Sequence, residues 1–107
     1  MKTRVWRLGF FSVLFFCIEG MSWAQTATIS YKTKCEVCHG ATGLADTALA
    51  KRLNVLSFTD PTVVAKSDSA LVGIIENGSG KMPAFTGKLT DQEISTLIQY
   101  IRQVQKH

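Results

Sequence analysis

The feature that most constrains this chain is the run Cys35-Glu36-Val37-Cys38-His39. On a helix, Cys35 and Cys38 lie one turn apart and share a face, and His39 is carried beside them. Two thiols at this spacing followed at once by an imidazole suit covalent attachment of a c-type haem, with a thioether from each sulfur to a vinyl group and iron ligation by the histidine. Two other readings of the pair compete. A redox disulfide of the thioredoxin kind normally opens a helix in a βαβ setting, and no strand-rich pattern surrounds this one. A zinc site built on two Cys and a His lacks a fourth ligand, because no second Cys pair or His cluster completes it.

The first 24 residues read as a secretory signal peptide. Lys2, Arg4 and Arg7 make a positive start, Leu8–Ile18 an apolar core, and Ser22-Trp23-Ala24 a small-x-small cleavage site before Gln25. That core is 11 residues long, where a membrane span needs about 20. Cleavage, no stable membrane insertion and a periplasmic location are therefore expected, or the thylakoid lumen in a photosynthetic organism. Cys17 follows Phe15 and Phe16, not the small residues of a lipobox, which argues against lipidation.

Residues 25–107 then form one small domain. In it Cys35 and Cys38 are the only thiols, Met82 is the only methionine, and Trp6 and Trp23 are gone. A core of this size is marginal without a staple or cofactor, and haem supplies a large apolar surface. The full chain carries +4; nine basic and seven acidic residues after position 24 reduce this to +2, and two propionates would bring it close to neutral. The lysines are scattered and no aromatic stacking platform accompanies them, so nucleic acid is not an expected partner.

Helical signals follow one another along the domain. Gln25–Cys38 predicts a first helix, capped by Thr26 or Thr28, with Ala27, Tyr31 and Cys35 on one face. Gly40–Ala48 is a loop punctuated by Gly40 and Gly43, Thr47–Leu56 a short helix, and Asp60-Pro61 a turn. Ser67–Asn77 predicts a helix with Ser67 as N-cap, Asp68 at its positive end, Leu71, Ile74 and Ile75 on its apolar face, and Gly78 as its stop. Thr90-Asp91-Gln92-Glu93 is a capping box, and Ile94, Leu97, Ile98, Ile101 and Val104 continue at helical spacing. No strand signal or repeat competes, so the expectation is an all-α domain of three to five helices around one haem.

With His39 as proximal ligand, the sixth iron position has two candidates. His107 is the last residue, where chains usually meet solvent. Met82 sits in Gly78-Ser79-Gly80-Lys81-Met82-Pro83-Ala84-Phe85, a Gly/Pro loop that is a poor place for a core gap-filler. His39/Met82 coordination fills both axial sites and suits outer-sphere electron transfer, with a potential above that of a bis-His centre.

Together, Cys35–His39, Lys81-Met82-Pro83-Ala84-Phe85 and Leu97-Ile98-Gln99-Tyr100-Ile101 resemble the monohaem class I cytochromes c, the small bacterial and photosynthetic-type carriers in particular, over most of residues 27–102. The resemblance implies a contact of Tyr31 with Leu97 and Tyr100 between first and last helices. The motif's place near the N-terminus is unlike the four-helix cytochromes c′. Relatives often have a Gly-Pro step whose carbonyl orients the proximal imidazole; here the only prolines are Pro61 and Pro83, which leaves a carbonyl of Thr47–Leu49 as the candidate. With no tryptophan for a propionate, Lys51, Arg52 or Lys88 are the candidate substitutes. Tyr31, Leu49, Phe58, Pro83 and Phe85 are the expected lining of the haem pocket. The function implied is a soluble, monomeric, non-enzymatic electron shuttle with transient redox partners, steered by Lys32, Lys34, Lys81 and Lys88. The alternatives are a haem enzyme or gas- or peroxide-reactive protein with a displaceable Met82, and the electron-entry subunit of a larger oxidoreductase.

Overall fold

Local capping chemistry divides the chain into helices. The computed structural model describes residues 23–107 and contains α1 (Trp23–Lys34), α2 (Glu36–His39), α3 (Ala48–Leu53), α4 (Pro61–Val64), α5 (Asp68–Asn77) and α6 (Asp91–Gln105). Four of these have six or more residues, within the expected three to five helices, and α2 and α4 are single turns. No strand occurs among the described residues, only the isolated bridges Ser79–Met82 and Thr86–Leu89. The expected signal segment lies outside the described residues except for its last two.

Four helix starts are held by side chains. The hydroxyls of Thr47 and Ser67 accept from the backbone N–H of Ala50 and Ala70 at 3.0 and 3.2 Å. Thr90 accepts from Glu93 N–H at 3.1 Å while the Glu93 carboxylate accepts from Thr90 N–H at 2.7 Å, the full capping box. Each such cap is worth about 1 kcal/mol. The Asp60-Pro61 step, expected as a turn, is also a helix start: Asp60 accepts from Thr62 N–H at 2.9 Å and Pro61 is the first helical residue. The two patterns share their residues, because proline's fixed φ and missing N–H suit a first helical position as well as a turn.

Two boundaries near the N-terminus differ from expectation. Thr26 and Thr28 are interior to α1, which already begins at Trp23. The helix does not run on through Cys38; it stops at Lys34 and restarts at Glu36, with Cys35 at φ −116° and ψ −38° between them. Ala27 and Tyr31 are buried as expected, and Cys35 is partly buried against the core.

The core gathers where α1 and α5 pack on α6. Ile94, Leu97, Ile98 and Ile101 of α6 meet Tyr31 of α1 and Leu71 and Ile75 of α5, with Phe58, Phe85 and Leu89 entering from the connecting segments. Burying a large aliphatic or aromatic side chain contributes about 1.5–3 kcal/mol, so this shared face, and not helix propensity, holds the bundle. The Tyr31 and Tyr100 rings lie 4.7 Å apart, the contact expected between first and last helices.

Arg102 joins α6 to the start of α5. Its guanidinium donates to the Asp68 carboxylate and to the backbone carbonyls of Lys66 (2.6 Å) and Val64 (3.5 Å). Asp68 thus serves both the positive end of α5 and an ion pair of 2.8 Å. No helix of the described residues is long and apolar enough to cross a membrane.

Candidate haem site

A cavity of about 370 Å3 opens between α2, α5, α6 and the 78–85 loop, and it brings together Cys35, Cys38, His39 and Met82. The single-turn α2 presents Cys38 and His39, and Cys35 stands directly before it as its N-cap. The turn is closed by backbone bonds from the N–H groups of Cys38 and His39 to the Cys35 carbonyl, at 3.2 and 3.0 Å. Tyr31 ties it down from α1, its hydroxyl donating to the Gly40 carbonyl at 2.5 Å.

Met82 is delivered by a tight reversal. The N–H of Ser79 donates to the Met82 carbonyl at 3.1 Å, and the Met82 N–H donates back to Ser79 at 2.9 Å. Gly78 permits this: its φ is +75°, and a Cβ there would sit 2.6 Å from the Met82 carbonyl oxygen. The N–H of Phe85 then donates to the Ile75 carbonyl at 3.0 Å, fixing the loop to the end of α5.

Of the expected pocket residues, Tyr31, Phe58, Pro83 and Phe85 line this cavity and Leu49 does not. Leu49 stands at the start of α3; Leu53, one turn later on the same face, lines the cavity in its place, because only the C-terminal end of this short helix reaches it. The cations on the lining are Lys34, Lys66 and Lys81, whereas Lys51, Arg52 and Lys88 are exposed elsewhere. Lys66 arrives through the α4–α5 junction, a placement that no local pattern reveals. His107 is exposed at the end of the chain.

Burial shapes the chemistry of these groups. It pushes the Cys35 thiol up to about 11 against the opposing pull of Lys34, and it holds His39 below the usual imidazole value. His39 is therefore a neutral imidazole, the form that ligates metal. Its Nδ1 is buried and has no hydrogen-bond partner among the described residues, so neither Thr47, Ala48 nor Leu49 supplies the expected carbonyl. The Phe58 ring lies against the imidazole instead, with centroids 4.9 Å apart and planes 30° from parallel.

A predominantly apolar cavity with two thiols, a neutral imidazole and a thioether on its lining, and lysines among the lining residues, fits a haem with its two propionates. Comparison with known proteins agrees. The family described as cytochrome c oxidase, cbb3-type, subunit III, matches residues 24–101. The chain is also similar to cytochrome c6 of Leptolyngbya boryana, 31% identical over 72 residues that cover 66% of this chain and 80% of that one. The chain belongs to the monohaem class I c-type cytochromes, haem-based electron carriers whose cofactor is a covalently bound haem c with iron.

Proposed function

We propose that this cytochrome is a single-electron shuttle in which Cys35 and Cys38 hold the haem through thioethers and His39 and Met82 ligate its iron. The observation that carries this reading is the shared cavity: the two thiols, the imidazole and the sole thioether of residues 25–107 all line it. When bound, the haem supplies a one-electron iron couple. The residues of the chain do the rest. Cys35 and Cys38 fix the group in register on α2, and His39 offers a neutral imidazole. Met82 offers a soft neutral sulfur that favours the reduced state and leaves no open position for a substrate. Phe58, Leu71, Ile75, Phe85 and Leu97 keep the cavity apolar, so little solvent rearranges when the charge changes.

Lys34, Lys66 and Lys81 line the same cavity as the exposed Val37 and Leu56. That combination suits brief docking of an acidic redox partner, with attraction setting the approach and apolar contact the final seat. Export as a precursor cleaved after Ala24 would place the carrier in the periplasm or an equivalent lumen.

The test is Met82→Ala. The wild type should show the weak long-wavelength iron–sulfur band when oxidised and should not bind CO readily when reduced. The variant should lose the band, bind CO and fall in potential. An identical spectrum in both proteins would remove Met82 from the iron, and rapid CO binding by the wild type would favour a ligand-binding haem protein instead.

A second reading has its own support, because the matching family is described as a subunit of an oxidase. There the domain would pass electrons within a larger oxidoreductase. Size-exclusion of a native extract separates the two: a free carrier elutes near 12 kDa or below, given the 11.8 kDa of the whole chain, and a subunit travels with a large complex.

A further inference from the structure

We infer that Phe58 is the positioning residue of His39: its ring sets the plane of the imidazole and keeps Nδ1 dry, where a backbone acceptor would otherwise stand. This rests on His39 being an iron ligand. A ligating histidine usually donates its second ring N–H to a carbonyl, carboxylate or water, which fixes the ring's orientation and raises its basicity. Here that nitrogen is buried without a partner among the described residues, and the Phe58 ring lies 4.9 Å from the imidazole at 30° between planes.

Phe58 is itself held from several sides. Its N–H donates to the Gly43 carbonyl at 2.9 Å, and its carbonyl accepts from Gln105 Nε2 of α6 at 2.9 Å. The Tyr31 ring meets it edge-on with centroids 6.1 Å apart. Gly43 packs against another side: a Cβ there would fall 2.5 Å from Phe58 Cδ2, and the φ of +75° would strain any other residue. A ring fixed this tightly cannot turn aside, so it acts as a wall and not as loose filling. The chemical consequence is an imidazole with little imidazolate character. It donates less to oxidised iron than a hydrogen-bonded one, and the potential rises accordingly.

The test uses the haem-loaded protein and Phe58→Leu, which leaves an apolar side chain but opens space for water beside Nδ1. The potential should fall, and the order of the haem-methyl proton shifts in the oxidised protein should change, because that order reports the plane of the axial imidazole. Ile98→Val, buried equally but off the cavity lining, should lower stability and leave both readouts unmoved. Nitrogen-edited NMR of the reduced wild type needs no variant and should find the His39 Nδ1–H without the downfield shift of a hydrogen-bonded proton. A downfield, hydrogen-bonded Nδ1–H in the wild type, or unchanged potential and methyl order in Phe58→Leu, would overturn the role of Phe58. If His39 ring protons show no hyperfine shift in the oxidised wild type, the ligation itself fails and the inference falls with it.

Discussion

Removing one oxygen atom at Tyr31 tests how α1 holds the haem-binding turn. Tyr31 is 4% exposed, and its hydroxyl donates at 2.5 Å to the carbonyl of Gly40, the residue directly after His39. Tyr31→Phe keeps the ring against Tyr100 at 4.7 Å and Phe58 at 6.1 Å, so packing is conserved and only the polar link is lost. A net hydrogen bond is worth about 0.5–1.5 kcal/mol, and because the Gly40 carbonyl still accepts from the Gly43 N–H at 3.2 Å, that range is the expected loss. Urea unfolding of the oxidised haem protein at neutral pH measures it. The pH dependence gives a second check. Burial, then the charges of Tyr100 and Glu36, raise the pKa of the Tyr31 hydroxyl above its ordinary 10.0 in the haem protein, where Cys35 is a thioether without charge. The folded state therefore keeps a proton that the unfolded chain releases. Its stabilisation is complete below about pH 10 and erodes as pH rises toward the folded value, by up to about 1.4 kcal/mol per unit. The gap between wild type and Tyr31→Phe should narrow above about pH 10, because only the wild type has this buried phenol proton to lose. A gap under about 0.5 kcal/mol at neutral pH, or one that stays constant from about pH 9 to about pH 11, would refute the link.

Other expectations concern the distal loop, the α5–α6 tie and the tethers. Gly78→Ala must move the Met82 carbonyl, so it should weaken or abolish the long-wavelength iron–sulfur band and cost on the order of 1–3 kcal/mol, while far-ultraviolet circular dichroism stays that of a helical protein. Arg102→Ala loses its bonds to two backbone carbonyls as well as the pair with Asp68, and should cost about 1–3 kcal/mol in urea; Asp68→Asn, on a side chain that is 70% exposed, should cost under about 1 kcal/mol. A larger loss for Asp68→Asn than for Arg102→Ala would show that the ion pair, not the carbonyl bonds, joins the helices. Cys35→Ala with Cys38→Ala should leave no haem attached after denaturation in acid and solvent, and little cooperative unfolding; a folded apo-protein of normal stability would contradict the dependence of this small core on its cofactor.

How far the sequence disclosed these features depended on distance along the chain. The capping box at Thr90, the Ser67 cap and the stop at Gly78 are local chemistry, and the structure places each where the residues predict it. The apolar face of α6 was equally legible, because five aliphatic positions at helical spacing admit no other period. The pause at Cys35 was not, since a continuous helix would give the thiols the same spacing. Leu49 was misplaced for a different reason: periodicity identifies the inner face of α3 but not which end of it reaches the cavity. Lys66, Arg102 and Phe58 take their roles from partners many residues away. The missing Gly-Pro step did point to a gap behind His39, but only the fold reveals an aromatic ring there.

The contact between Tyr31 and Tyr100 joins positions separated by nearly the whole described chain. Closing so long a loop is entropically costly and slow compared with forming a helical turn. A chain made from its N-terminus presents Cys35, Cys38 and His39 long before α6 exists to pack on α1. The contact of α1 with α6 is therefore the long-range step of folding, whereas the turn that carries Cys35, Cys38 and His39 is closed by local backbone bonds and forms independently of it.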